Sequence, residues 1–249
     1  MVKLTLSEPK YFKDSVNIIS DLVNEVQFSF EKDSIELVAM DPANVAMIAF
    51  RMFASGFAEY KAESDEKIAV NLSMLKQVLR RIKGSELMTL QTAEGKLKIT
   101  LKGSNTRDFS LPIIDVDDSV AKVPELKFPV NIAMSSSALN DAIEDVDVVA
   151  DSVAFVAEPH KFVFNAEGDL SNVNIETPES DDIKIIIDGS QSKIRSKYSV
   201  EYLKKMIQGS KLSDRVVIHF DKDYPLKLDY NTVDVLSLTF ILAPRVDND

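Results

Sequence analysis

The chain has 249 residues, 45% of them hydrophobic and 28% charged, and its formal net charge is -11. This balance is typical of globular proteins and allows one large domain or two of moderate size. The absence of cysteine excludes disulfides, thiol chemistry and cysteine-based zinc sites, and the acidic balance argues against indiscriminate binding to nucleic acid.

Most of the sequence predicts antiparallel strands. Residues 26–40 alternate apolar and polar side chains on either side of a turn at Lys32 and Asp33, which is typical of a half-buried hairpin. Residues 87–103 do the same around a turn at Glu94 and Gly95. Residues 215–231 and the closing stretch from Val235 have a similar pattern.

Four short amphipathic helices interrupt these strands. Each has an apolar stripe at helical spacing. They are predicted around residues 9–23, 72–83, 136–150 and 199–209.

The order of strands and helices occurs twice. A shift of about 127 residues places Val26 and Phe28 on Val153 and Phe155, and similarity at a fixed period is a primary signal of fold. We therefore predict an α+β protein of two similar strand-rich domains, each with two helices on one side of an antiparallel sheet.

A proline-containing segment separates the two halves. Pro112, Pro124 and Pro129 restrict the backbone, so the segment is expected to be an extended connector, stiffer than a Gly/Ser linker. We place the N-terminal domain at 1–114, the connector at 115–128 and the C-terminal domain at 129–249.

Catalytic motifs are scarce. The two histidines, His160 and His219, are far apart, and His219 lies within an alternating strand where a structural role is expected. No glycine-rich phosphate loop or nucleophile elbow occurs. The acidic runs "ESDE" and "PESDD" could bind a divalent cation, although such runs are more often solvated loops. A metal-dependent hydrolase remains the competing hypothesis.

Positive charge is concentrated on particular helices. Lys76, Arg80 and Lys83 follow an i, i+4, i+7 pattern and are expected to share one helix face, and Lys204 and Lys211 recur at a similar spacing in the second half. Such lysines could simply solvate the helices. Their recurrence in two repeats favours a surface that neutralises duplex phosphates without reading bases.

The third helix does not fit this pattern. Residues 136–150 contain several acids, among them Asp141, Glu144, Asp145 and Asp147, and no basic side chain. Such a helix would repel phosphate if it faced the same ligand.

The stretches "ELVAMDPANVAMIAF", "VNLSMLKQVLR", "LPIIDVDDSVAKVPEL", "YLKKMI" and "LAPRV" resemble the proliferating cell nuclear antigen family of ring-shaped DNA sliding clamps, with the archaeal branch most similar. The resemblance spans the whole chain. It implies three two-domain subunits closed head-to-tail around duplex DNA, with no catalytic residue, cofactor or metal. The implied partners are DNA polymerase, flap endonuclease, DNA ligase and an ATP-driven clamp loader.

The resemblance also implies three sets of site residues. The DNA-facing residues are Lys10, Lys13, Lys76, Arg80, Arg81, Lys83, Lys204, Lys205 and Lys211. The pocket for partner peptides is formed by Met40, Asn44, Val45, Met47, Val123, Pro124, Leu126, Pro225, Ala243 and Pro244. The subunit interface involves Arg107, Asp108, Asn174 and Glu176.

The acidic third helix leaves the composition of the ring open. Either a homotrimer contacts DNA through its other helices, or the chain is one member of a mixed trimer whose partners supply the missing charge. Since the N-terminus lacks a signal-peptide core and no apolar run could cross a membrane, we expect a cytoplasmic protein at the archaeal nucleoid, or a nuclear one in a eukaryote.

Overall fold

A computed structural model of the chain describes residues 2–62, 64–115, 121–189 and 192–245. The chain forms two compact units. The first consists of Met1–Pro42, Ile48–Val123 and Thr232–Leu238, and the second of Ala43–Met47, Pro124–Asn231 and Thr239–Asp249.

The first unit has two sheets and two helices. One sheet has the order β5-β1-β7-β8-β9, and the other runs β4-β3-β2-β6. The elements are β1 (Val2–Leu6), α1 (Lys10–Ile19), β2 (Glu25–Phe30), β3 (Ser34–Met40), β4 (Ala46–Phe53), a 3₁₀ turn (Ala54–Gly56), β5 (Glu59–Ala62), β6 (Glu66–Asn71), α2 (Leu72–Leu79), β7 (Leu87–Ala93), β8 (Lys96–Lys102) and β9 (Thr106–Pro112).

The second unit has the same plan. Its sheets have the orders β14-β10-β16-β17-β18 and β13-β12-β11-β15. The elements are β10 (Val130–Ser135), α3 (Ser136–Asp147), β11 (Ser152–Glu158), β12 (Lys161–Glu167), β13 (Asn172–Pro178), β14 (Lys184–Ile187), β15 (Ile194–Ser199), α4 (Val200–Met206), a 3₁₀ helix (Ile207–Lys211), β16 (Arg215–Phe220), β17 (Leu226–Thr232) and β18 (Leu236–Leu242). The strands β4 and β18 have residues in both units.

The order of strands confirms the predicted repeat and the α+β class. By position in the sheets, β9 corresponds to β18 and β4 corresponds to β13. Val26, Phe28, Val153 and Phe155, which the repeat aligns, are all buried. The predicted turn at Glu94 is also found, where this residue and Gly95 both have positive φ, as a tight hairpin turn requires.

Aromatic side chains fill the core of the second unit. The ring of Phe155 lies 5.4 Å from that of Phe162 and 5.1 Å from that of Phe164, in edge-to-face arrangements that aromatic pairs favour. All three side chains are fully buried. Truncating one of them to alanine is expected to destabilise the unit by about 3–5 kcal/mol.

The helices begin where the sequence predicts and end earlier. Helix α2 begins after Asn71, whose side chain accepts a hydrogen bond from the Met74 N–H at 3.1 Å. It ends at Leu79 because the following turn tightens: the Arg81 N–H donates to Val78 O, three residues back, at 2.9 Å. The expectation that the helix continues to residue 83 was therefore wrong.

After β9 and β18 the chain crosses to a strand of the other sheet in the same unit. In the first unit the Ile114 N–H donates to Ala69 O on β6 at 2.9 Å. In the second unit the Arg245 N–H donates to Lys197 O on β15 at 2.7 Å. These two crossings occupy equivalent places in the repeat. The predicted connector residues Val116, Asp117, Asp118 and Val120, and Glu63 of the "ESDE" run, lie outside the described residues.

Candidate nucleic-acid interface and docking site

The first basic surface lies where α1 and α2 pack together in the first unit. Lys10 and Lys13 line a hollow of about 510 Å³ that also includes Ile82 and Gly84. Within the described part of the chain, no carboxylate forms an ion pair with either lysine. Both lysines are therefore free of an ion pair in that part of the chain and can contact phosphate, although the acidic residues Glu8 and Asp14 line the same hollow.

Lys76 has a partner inside the chain. Its Nζ donates to Ser20 Oγ at 2.9 Å and to Asp21 Oδ1 at 3.1 Å, so it joins α2 to the end of α1. Its side chain is 21% exposed. Its partner Asp21 is 48% exposed, and because an ion pair at the surface contributes only about 0–1 kcal/mol, a phosphate could compete for this lysine at modest cost.

Arg80, Arg81 and Lys83 are exposed, but Lys83 does not lie on the helix face that its spacing predicted. The Lys83 N–H donates to Glu86 Oε2 at 2.9 Å, which fixes the chain in a turn beyond α2. The three side chains thus cluster around the end of the helix. Each lacks a carboxylate partner among the described residues.

Glu86, which sequence reasoning missed, organises this turn. It is 8% exposed, and its carboxylate accepts hydrogen bonds from the Lys83 N–H and from Arg107 Nη2. Gly103 leaves room for it, because a Cβ there would come within 2.8 Å of Glu86 Cγ. A lone acid following "RRIKGS" was the only sequence signal.

In the second unit, α4 and the 3₁₀ helix carry the predicted cations. Lys204 Nζ donates to Asp147 Oδ2 on α3 at 2.6 Å. Lys205 Nζ donates to Glu201 Oε1 at 2.9 Å and lies 5.2 Å from the centre of the Tyr202 ring. Lys211 is exposed, with no ion pair among the described residues.

The acidic helix α3 has two kinds of polar residue. Asp141, Glu144 and Asp145 are exposed. Asn140, in contrast, joins α3 to the 3₁₀ helix, because its amide donates to Ile207 O at 3.1 Å and accepts from Ser210 Oγ at 2.8 Å. Asn140 therefore has a structural role.

The residues predicted to form the peptide pocket are distributed over both units. In the first unit Met40 and Val123 are exposed apolar side chains, 39% and 43% accessible. In the second unit the Ala243 N–H donates to Val45 O at 2.9 Å, and Asn44 is exposed with a left-handed φ of 56°.

The other predicted pocket residues of the second unit differ in accessibility. Pro124 is exposed, and Leu126, Pro225 and Pro244 are half-buried. Met47 is only 7% exposed, so it belongs to the core and offers little surface to a ligand.

A polar cluster lies under the end of the connector in the second unit. Asp229 accepts hydrogen bonds from Lys227 at 2.8 Å and Thr239 at 2.5 Å, and His219 Nε2 lies 3.2 Å from it. Burial acts to raise the pKa of Asp229, but these partners outweigh it and hold the pKa below its ordinary value. The Phe128 ring lies 5.7 Å from the His219 ring. His219 thus has the structural place in a strand that its sequence context predicts.

The predicted interface residues lie on two strands at the edges of their sheets. In the described chain β9 pairs only with β8 and β13 only with β12, so each strand has one open edge. Arg107 donates to Glu86 and to Arg81 O, and Asp108 accepts from Thr100 Oγ1. On β13, Asn174 lies opposite Asn165, and Glu176 pairs with Lys161 at 3.5 Å.

Two further observations concern residues 2–62, 64–115, 121–189 and 192–245. These ranges contain no group of three or more histidine, aspartate or glutamate side chains arranged to hold a metal ion. Nor does any helix in them combine the length and hydrophobicity of a membrane span.

Taken together, two repeated strand-rich domains, short helices with exposed cations and open sheet edges define the class of the DNA-clamp fold. Comparison with known proteins is consistent with this class. The N-terminal domain model of the proliferating cell nuclear antigen matches residues 1–120 and its C-terminal domain model matches residues 122–245. The chain therefore belongs to the proliferating cell nuclear antigen family.

Curated relatives and a solved structure agree. The chain is 34% identical to the DNA polymerase sliding clamp of Nanoarchaeum equitans, over 99% of this chain and 100% of the relative. It is 35% identical to the DNA polymerase sliding clamp of Pyrococcus furiosus, over 96% of each. The crystal structure of the proliferating cell nuclear antigen from Thermococcus kodakaraensis superposes with a TM-score of 0.91 at 28% identity, covering 98% of this chain and all of that one. Members of this family are non-catalytic scaffolds, so the chain is not an enzyme.

Proposed function

We propose that the chain is a subunit of a trimeric ring that encircles duplex DNA, slides along it and holds DNA polymerase on its template. The observation that carries this proposal is the pair of open edges on β9 and β13. Two different edges that pair between copies make a head-to-tail contact, and such a contact closes into a ring when the rotation permits.

The internal repeat supports this pairing. The strands equivalent to β9 and β13 are β18 and β4, and residues at their ends already exchange hydrogen bonds within each unit. The Phe53 N–H donates to Val235 O at 2.9 Å in the first unit, and the Ala243 N–H donates to Val45 O at 2.9 Å in the second. We infer that contact between subunits repeats the pattern that the chain uses internally.

The cations that lack an ion pair in the described chain suit a sliding ligand. Six of the predicted DNA-facing residues have no ion pair among the described residues: Lys10, Lys13, Arg80, Arg81, Lys83 and Lys211. Lysine and arginine contacts to phosphate carry no sequence information and weaken with salt. A ring linked topologically to DNA needs only such contacts, because weak contacts permit movement along the duplex.

We also propose that partner enzymes dock by a short peptide whose apolar side chains bind near the connector. Polymerase, flap endonuclease and ligase are the expected partners, and a separate ATP-driven loader opens the ring. Exposed Met40 and Val123 support this assignment, since methionine-containing apolar surfaces adapt to several ligands. Such a protein works beside chromosomal DNA in the cytoplasm.

Light scattering tests the assembly. One chain has a mass of 27.8 kDa, and a homotrimer gives a species of three times that mass at micromolar concentration. A monomer or dimer that forms a trimer only with other clamp-like chains would establish the mixed ring instead. A chain that never forms a closed assembly would contradict the proposal.

A duplex with blocked ends tests encirclement. The chain is mixed with the duplex below its assembly concentration and then concentrated, after which both ends are blocked with streptavidin. The blocked duplex should retain the chain through a high-salt wash, and a single cut in the duplex should release it. Equal retention on cut and uncut DNA would indicate an ordinary binding protein.

A further inference from the structure

The solvent face of the sheet β13-β12-β11-β15 has a hollow at its centre. The cross-strand register places Val156 opposite Val163, and Ala154 lies next to them on the same face. These three small side chains are at most 6% exposed. Longer side chains from all four strands surround them and enclose a hollow of about 370 Å³.

The charges around this hollow do not balance. Glu158 pairs with Lys161 at 3.2 Å and with Lys193 at 2.9 Å, and Lys161 also pairs with Glu176. Arg195 lies opposite Val156 at the β15 side of the hollow. No carboxylate of the described residues forms an ion pair with it. In a protein of net charge -11, this is a local excess of positive charge.

Two asparagine side chains lie beside the three small apolar side chains. Asn165 and Asn174 face each other across β12 and β13, and both line the hollow. Within the described chain neither side-chain amide has a hydrogen-bond partner. Each can donate to a carbonyl and accept from an N–H, as a peptide backbone requires.

We propose that this hollow binds an extended acidic peptide segment of a partner protein. An aspartate or glutamate of the peptide pairs with Arg195, and a neighbouring apolar side chain of the peptide packs on Val156 and Val163. The peptide backbone forms hydrogen bonds with the side-chain amides of Asn165 and Asn174. Arginine suits a carboxylate because its planar guanidinium can make two parallel hydrogen bonds.

The dimensions of the hollow favour a peptide. Four strands at about 4.8 Å spacing span about 14 Å, which is the length of roughly four extended residues. Single-stranded nucleic acid is a poorer match, because none of the lining residues is an aromatic on which a base could stack. This site is separate from the DNA-facing helices and from the predicted pocket near the connector, but two of its lining residues, Asn174 and Glu176, lie on the strand β13 that is predicted to contact a neighbouring subunit.

Methyl NMR on the assembled protein tests the proposal. The probe is the peptide acetyl-Glu-Leu-Asp-Val-Glu-amide, compared with acetyl-Lys-Leu-Lys-Val-Lys-amide and with sodium acetate. The acidic peptide should shift the methyl resonances of Ala154, Val156 and Val163 in a saturable manner. The lysine peptide and acetate should not do so at the same concentration.

Variants locate the contact. Arg195→Glu should weaken binding of the acidic peptide at least ~10-fold. Arg195→Gln should weaken this binding less, as expected for a charge-assisted pair. Lys222→Glu, which changes an exposed lysine in a turn elsewhere in the second unit, is the matched control and should change binding less than ~2-fold.

Three outcomes would overturn the proposal: shifts of methyl resonances elsewhere in the protein, an unchanged affinity in Arg195→Glu, or equal shifts with acetate. Retention of Arg195→Glu on end-blocked DNA should stay intact, so failure here is distinct from failure of the clamp function.

Discussion

Lys204 Nζ and Asp147 Oδ2 lie 2.6 Å apart, so the basic helix α4 neutralises one carboxylate of the acidic helix α3 within the same chain. One of the α3 carboxylates that would otherwise repel DNA is therefore paired within the chain. Asp141, Glu144 and Asp145 remain exposed on α3. The pair also occupies Lys204, which lowers the number of cations free for phosphate.

Asp147→Asn should release Lys204 and strengthen binding to duplex DNA at low salt. Asp145→Asn is the matched control, since it removes the same charge from α3 without breaking this ion pair. Both variants reduce repulsion, but Asp147→Asn should bind more tightly and have the steeper dependence on salt. Electrophoretic mobility shifts over a salt series measure both quantities. Equal effects would show that Lys204 does not contact DNA.

Replacing Arg80, Arg81 and Lys83 together with alanine should reduce the salt dependence of DNA binding. Each lost phosphate contact lowers the slope of log K against log salt by about 0.9, so a fall of roughly 2–3 is expected. Lys76→Ala should have a smaller effect on that slope because Lys76 already pairs with Asp21. An unchanged slope in the triple variant would show that these residues do not contact DNA.

The sheets and their repeat could be predicted from sequence because they depend on local pattern. Alternation of apolar side chains, as at Val26 and Phe28, indicates a strand whatever its neighbours are. The equivalent residues Val153 and Phe155 then reveal the second copy. No knowledge of long-range contacts was needed for either inference.

The details of the basic surface could not be predicted, because they depend on partners distant in sequence. Lys76 pairs with Asp21. Lys83 lies in a turn beyond the end of α2, where its N–H donates to the Glu86 carboxylate, and Arg107 donates to the same carboxylate. Helical spacing alone placed Lys83 beside Lys76. Cation positions at the end of a helix are set by such tertiary contacts, which a spacing rule does not contain.

Asp229→Asn should lower stability at neutral pH and have little effect in acid. The pKa of Asp229 is below its ordinary value in the folded chain, so its contribution is present above the unfolded pKa of about 3.9 and is lost as pH falls through the folded value. Urea unfolding gives the free energy of unfolding of variant and parent at each pH. The difference between the two should be smaller at pH 3 than at pH 7. Asp169→Asn, at an exposed position with no ion pair in the described chain, should show little difference at either pH.

Val123→Asp should weaken docking of partner peptides at least ~10-fold, because it places a charge on an apolar contact surface. Fluorescence anisotropy with a labelled apolar-plug peptide from a DNA polymerase provides the measurement. Val233→Asp is the control, since Val233 is also an exposed valine, 84% accessible, in the turn before β18. If Val123→Asp binds as well as Val233→Asp, the docking site lies elsewhere.

The contacts of Arg107 have a consequence for how assembly and DNA contact influence each other. Arg107 lies on the open-edged strand β9, yet its guanidinium holds Glu86 and Arg81 O at the end of α2. A neighbouring strand that orders β9 would therefore also order the turn bearing Arg81 and Lys83. Ring closure and duplex binding would then be cooperative, and thermodynamic reciprocity requires that each strengthen the other by the same factor.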